Sequence, residues 1–397
     1  LGDANDPEKM IARVTDLRKS SLLGFRQDWI WSPSDRHRTQ WGLHVAYSSA
    51  DFSYDGQAEY FGMQAAYVDW PDELVRSVVA SPEGSSYALY VADRWKLSER
   101  MMLEWGLRWD DQTYTGLASD SQLSPRLNVM LRTSQNTELR LSAGRYHQSQ
   151  AIQSLQVEDG ITNFWPAQRA DHLIAGFYYR LPGDSRLRVE GFVKDMKRVR
   201  PRFENLYDPL GIIPELQPDR VRLEPTTARA RGLELSVDHN TDKWTWWASY
   251  TWSKVTDEID GSNEPRSWDQ RHSLQAGFGW KSNAWDFSAA ASVHSGWPTT
   301  SLSLENLGPG PDGEPIFEAT PGPRNAERLP SFASVDVRLS RTFDVKRGSL
   351  LAFIEVSNVF NRRNICCIDW DIENDALESS YDYWMPLLPA IGILWQF

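Results

Sequence analysis

The sequence predicts an all-β protein whose strands form an antiparallel transmembrane β-barrel. Apolar and polar residues alternate with a period of two along most of the chain. The alternating stretches exceed the ~5–6 residues typical of strands in globular proteins. Short and long connections alternate between these stretches along the chain. Tight turns at one end of a sheet and long loops at the other are typical of outer-membrane barrels.

The composition excludes several other classes of protein. No run in the sequence approaches the ~18 consecutive apolar residues of a membrane-spanning helix. The net charge of −12 argues against a nucleic-acid-binding protein. With 19 Trp, 14 Tyr and 15 Phe, the chain is too aromatic to stay disordered. Its two cysteines, the adjacent Cys366 and Cys367, are too few for a disulfide framework or a four-ligand zinc site.

About fifteen stretches show the alternation, and most can cross a bilayer, which takes ~9–11 residues of a tilted strand. We predict strands at 21–32, 39–55, 86–97, 101–115, 124–134, 137–147, 169–181, 185–200, 230–240, 243–258, 270–281, 284–295, 332–343, 348–361 and 387–397. Most turns at one end span a few residues, as at 134–136. The predicted long loops are 56–85, 148–168, 201–229, 296–331 and 362–386, with shorter ones at 116–123 and 259–269.

One face of these strands carries charges in strand after strand. In a membrane barrel such a face lines the lumen, whereas in a soluble sandwich it meets water. Alternation alone does not separate the two, and the rhythm of the connections favours the barrel. The residues that we predict to line the lumen are Glu104, Arg108, Arg188, Glu190, Asp336 and Arg338.

The barrel also accounts for the tryptophans and for the last residues. Trp and Tyr are enriched in the girdles where a barrel meets the lipid headgroups. Residues 389–397 alternate, so that Ile391, Ile393, Trp395 and Phe397 share one face of a last strand. The alternative for this strand is a buried last strand of a β-sandwich.

Three charged clusters are candidate binding sites. Two are acidic and suit Ca²⁺, although solvated loops are the simpler interpretation. The third is basic and lies at a strand end, where it is suited to anionic headgroup phosphates, to an anionic ligand or to water. The clusters are Asp257, Glu258, Asp260 and Glu264; Asp369, Asp371, Glu373 and Asp375; and Lys194, Lys197, Arg198, Arg200 and Arg202.

Other motifs carry less chemistry. Cys366 and Cys367 suit either a vicinal disulfide or two thiols. Gly308, Gly310 and Gly313 spell GxGxxG, but they lie in a proline-rich loop rather than between a strand and a helix, so we reject a phosphate site. No arrangement of Ser, His and acid or of Cys and His supports catalysis, and we predict neither an enzyme nor a metal or cofactor site.

Several runs resemble the β-barrel of TonB-dependent outer-membrane receptors. Their order and spacing make the resemblance fairly specific, and it covers about residues 85–397. The runs are Tyr90–Trp95, Gly106–Asp110, Ser124–Leu127, Ala230–Leu235, Ala248–Ser253, Ser267–His272, Ser295–Thr299 and Val356–Asn361, with the terminal Phe397. The family-motif residues that we single out are Trp268, Asp269, Gln270, Arg271 and His272, the last with an architectural role.

The resemblance implies a larger barrel than the strands counted here. Receptors of this class have ~22 strands and a plugged lumen, whereas about fifteen strands and neither a plug nor a TonB-contact segment are found in this sequence. We therefore expect residues 1–397 to be the C-terminal portion of such a barrel. The resemblance also implies that Ile393, Trp395 and Phe397 form a C-terminal assembly signal.

The function that the resemblance implies is energised uptake of a large, scarce solute such as an iron–siderophore complex or cobalamin. Loops 56–85, 201–229 and 296–331 would bind this extracellular ligand. The expected location is the Gram-negative outer membrane, with lipid, lipopolysaccharide and TonB as partners, the last through the N-terminal segment that is not found. Two alternatives stay open: a passive diffusion pore, and a secreted β-rich protein that binds carbohydrate through exposed Trp.

Overall fold

The computed structural model describes residues 10–68, 70–115, 122–207, 211–310, 313, 315–374 and 376–397. Its first half contains thirteen strands within these ranges. They are β1 (Met10–Ser34), β2 (His37–Tyr60), β3 (Glu73–Ala80), β4 (Glu83–Lys96), β5 (Met101–Gln112), β6 (Gln122–Arg132), β7 (Thr137–Gln148), β8 (Gln168–Leu181), β9 (Ser185–Lys197), β10 (Arg202–Asn205), β11 (Arg220–Leu223), β12 (Thr227–Asn240) and β13 (Trp244–Ile259).

Twelve strands follow in the second half of the described chain. They are β14 (Ser262–Pro265), β15 (His272–Lys281), β16 (Trp285–His294), β17 (Pro298–Thr299), β18 (Leu302–Pro309), β19 (Pro315–Pro321), β20 (Glu327–Arg328), β21 (Phe332–Asp344), β22 (Ser349–Ser357), β23 (Ile365–Glu373), β24 (Ala376–Tyr383) and β25 (Leu388–Gln396). Short 3₁₀ turns lie at Gly62–Ala66, Ile152–Ser154, Val157–Asp159 and Pro214–Leu216. Among the described residues, no helix is long and apolar enough to span a membrane.

Seventeen of these strands form one antiparallel sheet. β3 pairs with Phe52–Glu59 of β2 and β4 pairs with His37–Ser49, so the two strands together follow one path along β2. β14 and β15 share β13 in the same way. When each of these two shared paths is counted once, the seventeen strands span the wall fifteen times. This confirms the predicted number of about fifteen strands. The prediction of an all-β, antiparallel barrel wall is also confirmed.

The structure corrects one predicted loop. Residues 56–85 are not one long loop, because β2 continues to Tyr60 and β3 and β4 begin at Glu73 and Glu83. The inner face of β2 stays apolar here, with Phe52, Tyr54, Ala58 and Tyr60 buried. This face is covered by other loops rather than by lipid. The outer half of β2 therefore continues as a strand that pairs with β1 on one side and with β3 on the other.

The two faces of the sheet differ as a membrane barrel requires. On β5, Trp105 and Leu107 are exposed on one face, while Glu104 and Arg108 lie on the other. Large apolar side chains are exposed in the same way on β1, β12 and β25, where Ile391 is 82 % exposed. A water-soluble sheet would bury such a face, so hydrocarbon is the solvent that fits it.

The connections divide by length between the two ends of the sheet. At one end the strands join through tight turns, as at Leu181 to Ser185, where Gly183 and Asp184 adopt positive φ. At the other end the connections carry their own hairpins, β10–β11, β18–β19 and β23–β24. The apolar core of the molecule lies beneath these long loops: Phe52 and Tyr54 of β2 pack against Leu155 and Val157.

Candidate functional site

The long loops fold over one another at their end of the sheet. The loop after β7 packs on β1 and β3, where Arg18 pairs with Glu158 at 2.7 Å and Arg76 bonds to the Glu158 carbonyl oxygen. The same loop joins the β10–β11 loop through the buried pair of Asp159 and Arg220, at 2.6 Å. These loops therefore form one packed layer above the inner wall of the sheet.

A second part of this layer is built on Asp257, which is fully buried at the end of β13. Its two carboxylate oxygens accept from Arg266 at 2.6 Å and Arg202 at 2.5 Å. The sequence suggested either a Ca²⁺ site or a solvated loop for the acidic cluster that includes Asp257. Neither holds for Asp257, because two guanidinium groups neutralise its charge. Within the described ranges, no group of His, Cys, Asp or Glu is arranged to hold a metal ion.

Arg324 joins three connections at the loop end: its own loop, the β10–β11 loop and the shorter connection that contains β14. Its guanidinium donates to Glu204 at 2.7 Å and to the Ser267 hydroxyl at 3.0 Å, and it lies 3.4 Å from Glu264. Burial alone would raise the pKa of Glu204, but the charges of Arg202 and Arg324 and a hydrogen bond from Ser267 outweigh it and lower the pKa to about 2. Glu204 is therefore ionised at neutral pH.

Asp269 is the second fully buried carboxylate of this layer. It accepts from the Val255 amide at 2.7 Å, from Arg271 at 3.1 Å and from Arg328 at 2.5 Å. Arg328 also donates to the carbonyl oxygens of Asp269 and Gly296, at 2.7 and 2.9 Å. A Cβ at Gly296 would lie 1.6 Å from the Leu329 carbonyl oxygen, so only glycine fits this close approach.

The other family-motif residues surround Asp269 in different ways. Trp268 packs edge-on against Trp297, with ring centroids 4.8 Å apart. The Gln270 carbonyl accepts from Ser253, and the His272 ring bonds to the Tyr250 hydroxyl at 2.7 Å. The sequence predicts this motif but not its partners Arg324 and Arg328, because these arginines lie more than fifty residues further along the chain.

The six predicted lumen residues all lie on the polar face of the sheet. Glu104 and Arg108 line one concavity of about 290 Å³, where Glu104 pairs with Arg94 at 2.9 Å and Arg108 with Asp110 at 2.6 Å. Further round the wall, three pairings involve the other four residues. They are Arg188 with Glu190, Arg338 with Glu355 at 3.1 Å, and Asp336 with the Asn358 amide at 2.7 Å. That these residues line the lumen stays a prediction.

Of the predicted C-terminal assembly residues, Ile393 and Trp395 lie on the apolar face of β25, and Phe397 directly follows this strand. Ile393 is 72 % exposed and Phe397 is 94 % exposed, while the Trp395 indole donates to the Arg347 carbonyl at 3.0 Å. β25 pairs with β22. The role of these side chains in assembly is not tested by their placement and stays a prediction.

The remaining sequence candidates are dispersed. Arg202 of the basic run belongs to the buried network around Asp257, whereas Lys194 lies 5.2 Å from the ring of Phe192. The second acidic cluster lies on and just after β23. Asp375 of this cluster and residues 116–121 of a predicted loop lie outside the described residues.

Cys366 and Cys367 form no disulfide. The glycine motif lies in the β18–β19 hairpin, as expected for a loop.

A sheet with an apolar outer face, a charged inner face and long interlocked loops at one end defines a large membrane-spanning β-barrel. The sequence matches the family described as "TonB dependent receptor-like, beta-barrel" over residues 11–359. The chain therefore belongs to the TonB-dependent receptor β-barrel family, as the resemblance in the sequence predicted. The members of this family are outer-membrane transporters of Gram-negative bacteria rather than enzymes.

Solved structures share the fold at low sequence identity. The Pseudomonas aeruginosa receptor FpvA, in complex with a ferric pyoverdine, aligns with a TM-score of 0.57 at 15 % identity, over 100 % of this chain and 51 % of its own. The ferric citrate transporter FecA aligns with a TM-score of 0.57 at 15 % identity, over 97 % of this chain and 56 % of its own.

The FrpB iron transporter of Neisseria meningitidis aligns with a TM-score of 0.55 at 14 % identity, over 95 % of this chain and 54 % of its own. The chain thus spans about half the length of the solved structures it matches. A search of curated proteins finds no sequence match.

Proposed function

We propose that this chain forms barrel wall and ligand-capturing loops of a receptor that imports a large, scarce solute across the Gram-negative outer membrane. We infer an iron–siderophore complex or cobalamin as the solute, since the solved structures with this fold include a receptor bound to a ferric pyoverdine. TonB would supply the energy, and lipid and lipopolysaccharide would surround the apolar face. Import of this kind makes and breaks no covalent bond.

The observation that carries the proposal is the loop layer above the polar wall. Three connections at the loop end are joined through Arg324, and two long loops are joined through Asp159 and Arg220. Buried ion pairs hold a fixed geometry only when each charge keeps its partner. Loops held in this way present one defined surface to a solute, as a receptor requires and a non-selective pore does not.

Uptake in cells tests this proposal. Cells carrying the intact gene, the deleted gene or the intact gene without TonB are given radiolabelled ferric citrate, a ferric hydroxamate or cyanocobalamin in separate experiments. We expect accumulation of one label that requires both the gene and TonB. Accumulation that persists without TonB would establish a passive pore instead. Release of the protein from cells without detergent would establish a secreted carbohydrate-binding protein.

A further inference from the structure

An arginine lies on the apolar, outward face of the sheet. Arg341 of β21 is three residues from Arg338, so strand alternation places the two side chains on opposite faces. Arg338 lies on the polar face, and Arg341 therefore lies on the face that hydrocarbon covers. In the antiparallel ladder, Arg341 is directly opposite Trp285 of β16 on one side and Ala352 of β22 on the other.

The height of Arg341 on the wall is that of an aromatic girdle at the short-turn end. Trp280 and Trp285 flank the turn between β15 and β16, and Trp244 packs against Trp280 with ring centroids 6.2 Å apart. Such girdles mark the level of the lipid headgroups. A charged side chain is costly on the lipid face at the middle of the bilayer, but it is tolerated at this level because its charge reaches the headgroups.

Two rings of the girdle hold the guanidinium group of Arg341. Its central carbon lies 5.0 Å from the centre of the Trp285 ring and 4.8 Å from the centre of the Phe343 ring. Cation–π contacts of this kind position a guanidinium group. They do not replace the strong acceptors that its five N–H donors require. On a face that lipid covers, the strong acceptor available at the headgroup level is a lipid phosphate.

The adjacent turn adds positive charge on the same side. Residues 345–348 join β21 to β22 and include Lys346 and Arg347, which are both exposed. The turn lies beside the girdle, since the Trp395 indole donates to the Arg347 carbonyl oxygen at 3.0 Å. Asp344, the carboxylate nearest in sequence, lies on the polar face by alternation. The girdle is therefore cationic here, although the chain has a net charge of −12.

We propose that Arg341 binds the phosphate of an anionic glycerophospholipid, such as phosphatidylglycerol, in the leaflet at the short-turn end. The short turns of membrane barrels face the periplasm. Guanidinium groups bind phosphate through paired N–H···O bonds, and Ala352 is small enough to leave the guanidinium accessible from its side. The neighbouring cations disfavour a headgroup with its own ammonium group. The inference rests on the proposed function for the membrane position of the chain, and it names the lipid class at one place on the apolar face.

Native mass spectrometry of the full chain, purified in detergent and titrated with phosphatidylglycerol, tests the site. Phosphatidylethanolamine is the reference lipid. We expect the first phosphatidylglycerol to bind more tightly than phosphatidylethanolamine. Arg341→Gln should weaken its binding about ten-fold or more, the loss typical of one charged hydrogen-bonded partner.

Urea unfolding in vesicles separates lipid binding from a packing role of Arg341. In phosphatidylcholine vesicles, the wild type and Arg341→Gln should unfold at the same urea concentration. Addition of phosphatidylglycerol to the vesicles should raise the midpoint of the wild type, because a ligand of the folded state stabilises it. The midpoint of Arg341→Gln should not rise. A variant that is equally destabilised in both kinds of vesicle would show a packing role and overturn the site.

Arg338→Gln is the matched control. Arg338 lies on the same strand, and its guanidinium also stacks on a ring, 3.8 Å from the centre of Phe353, but on the polar face. Phosphatidylglycerol affinity should stay unchanged in this variant. An equal loss in both variants would show a general effect of charge and overturn the site. Equal affinity of the wild type for the two lipids, or binding of inorganic phosphate as tight as that of phosphatidylglycerol, would also overturn it.

The two proposals fail separately in these experiments. Lipid binding is measured on purified protein and needs neither an imported solute nor TonB. Selective binding of phosphatidylglycerol with no TonB-dependent uptake of any label would contradict the proposed function and leave the lipid site. Uptake in cells with no selectivity for phosphatidylglycerol would contradict the lipid site and leave the proposed function.

Discussion

The loop end and the short-turn end of the inner wall both contain many ion pairs, but they use them differently. At the loop end, Asp257 and Asp269 are fully buried and each contacts two arginines. At the short-turn end, the pair of Arg186 and Asp238 leaves 70 % of the arginine side chain exposed. The first set lies in a packed interior, and the second faces the space that the wall encloses.

This difference indicates which charges hold the fold and which are available to a partner. Breaking a buried pair leaves an uncompensated charge in a medium of low polarity, which is strongly destabilising. Exposed pairs contribute little, because water and salt screen them. Substitutions at the loop end should therefore change stability, whereas substitutions on the open wall should change binding.

Asp269→Ala should have the largest effect on stability. It removes the acceptor of Arg271 and Arg328 and leaves both guanidinium groups in a partly buried site, which costs about 3–5 kcal/mol. Urea unfolding of the protein in lipid vesicles, followed by tryptophan fluorescence, measures the change. Asp28→Ala is the control: it removes an exposed pair with Arg26 and a hydrogen bond from the Tyr90 hydroxyl, and it should change stability far less than Asp269→Ala does. Equal effects of the two variants would remove the distinction between the ends.

Lowering the pH should weaken the loop layer through Glu204. The pKa of its carboxyl lies at about 2, below the ordinary 4.5. Its contribution is therefore complete above about pH 4.5 and is lost as the pH falls towards 2. A shift of this size corresponds to about 3 kcal/mol, and the side chain is buried enough for little screening.

The measurement compares the wild type with Glu204→Gln between pH 6 and pH 3. The two free energies of unfolding should differ most at pH 6 and converge at the acid end. Glu224→Gln serves as the control, since Glu224 pairs with Arg222 in the same loop region but is 61 % exposed. A Glu204 difference that stays constant with pH would show that charge is not the cause.

The strands and the turns of this fold follow from local sequence. The alternation on β5 or β12 and the Gly183–Asp184 turn each lie within a short stretch of sequence, of 12 residues for β5 and 14 for β12, so their pattern can be read directly. The ends of β1 and β2 were missed because those residues leave the bilayer and pack beneath loops. The apolar face of these strand ends packs against Leu155 and Val157, which lie about a hundred residues further along the chain.

The charged network was not readable in the same way. Asp257 and Arg202 are separated by 55 residues, and Arg328 and Asp269 by 59 residues. Nothing in a single window of sequence distinguishes such an aspartate from one in a solvated loop. The face on which the predicted lumen residues lie can be read from the sequence, because strand alternation alone assigns a residue to one face of the sheet.

The smallest effect is expected at Arg94, on the open wall. Arg94 pairs with Glu104 at 2.9 Å, and its side chain is 51 % exposed. Arg94→Ala should therefore lower the free energy of unfolding by no more than ~1 kcal/mol, and less at high salt, since the pair is screened. Urea unfolding at low and high sodium chloride measures both. A loss as large as that in Asp269→Ala, insensitive to salt, would show that the open wall is held by its ion pairs as firmly as the loop end.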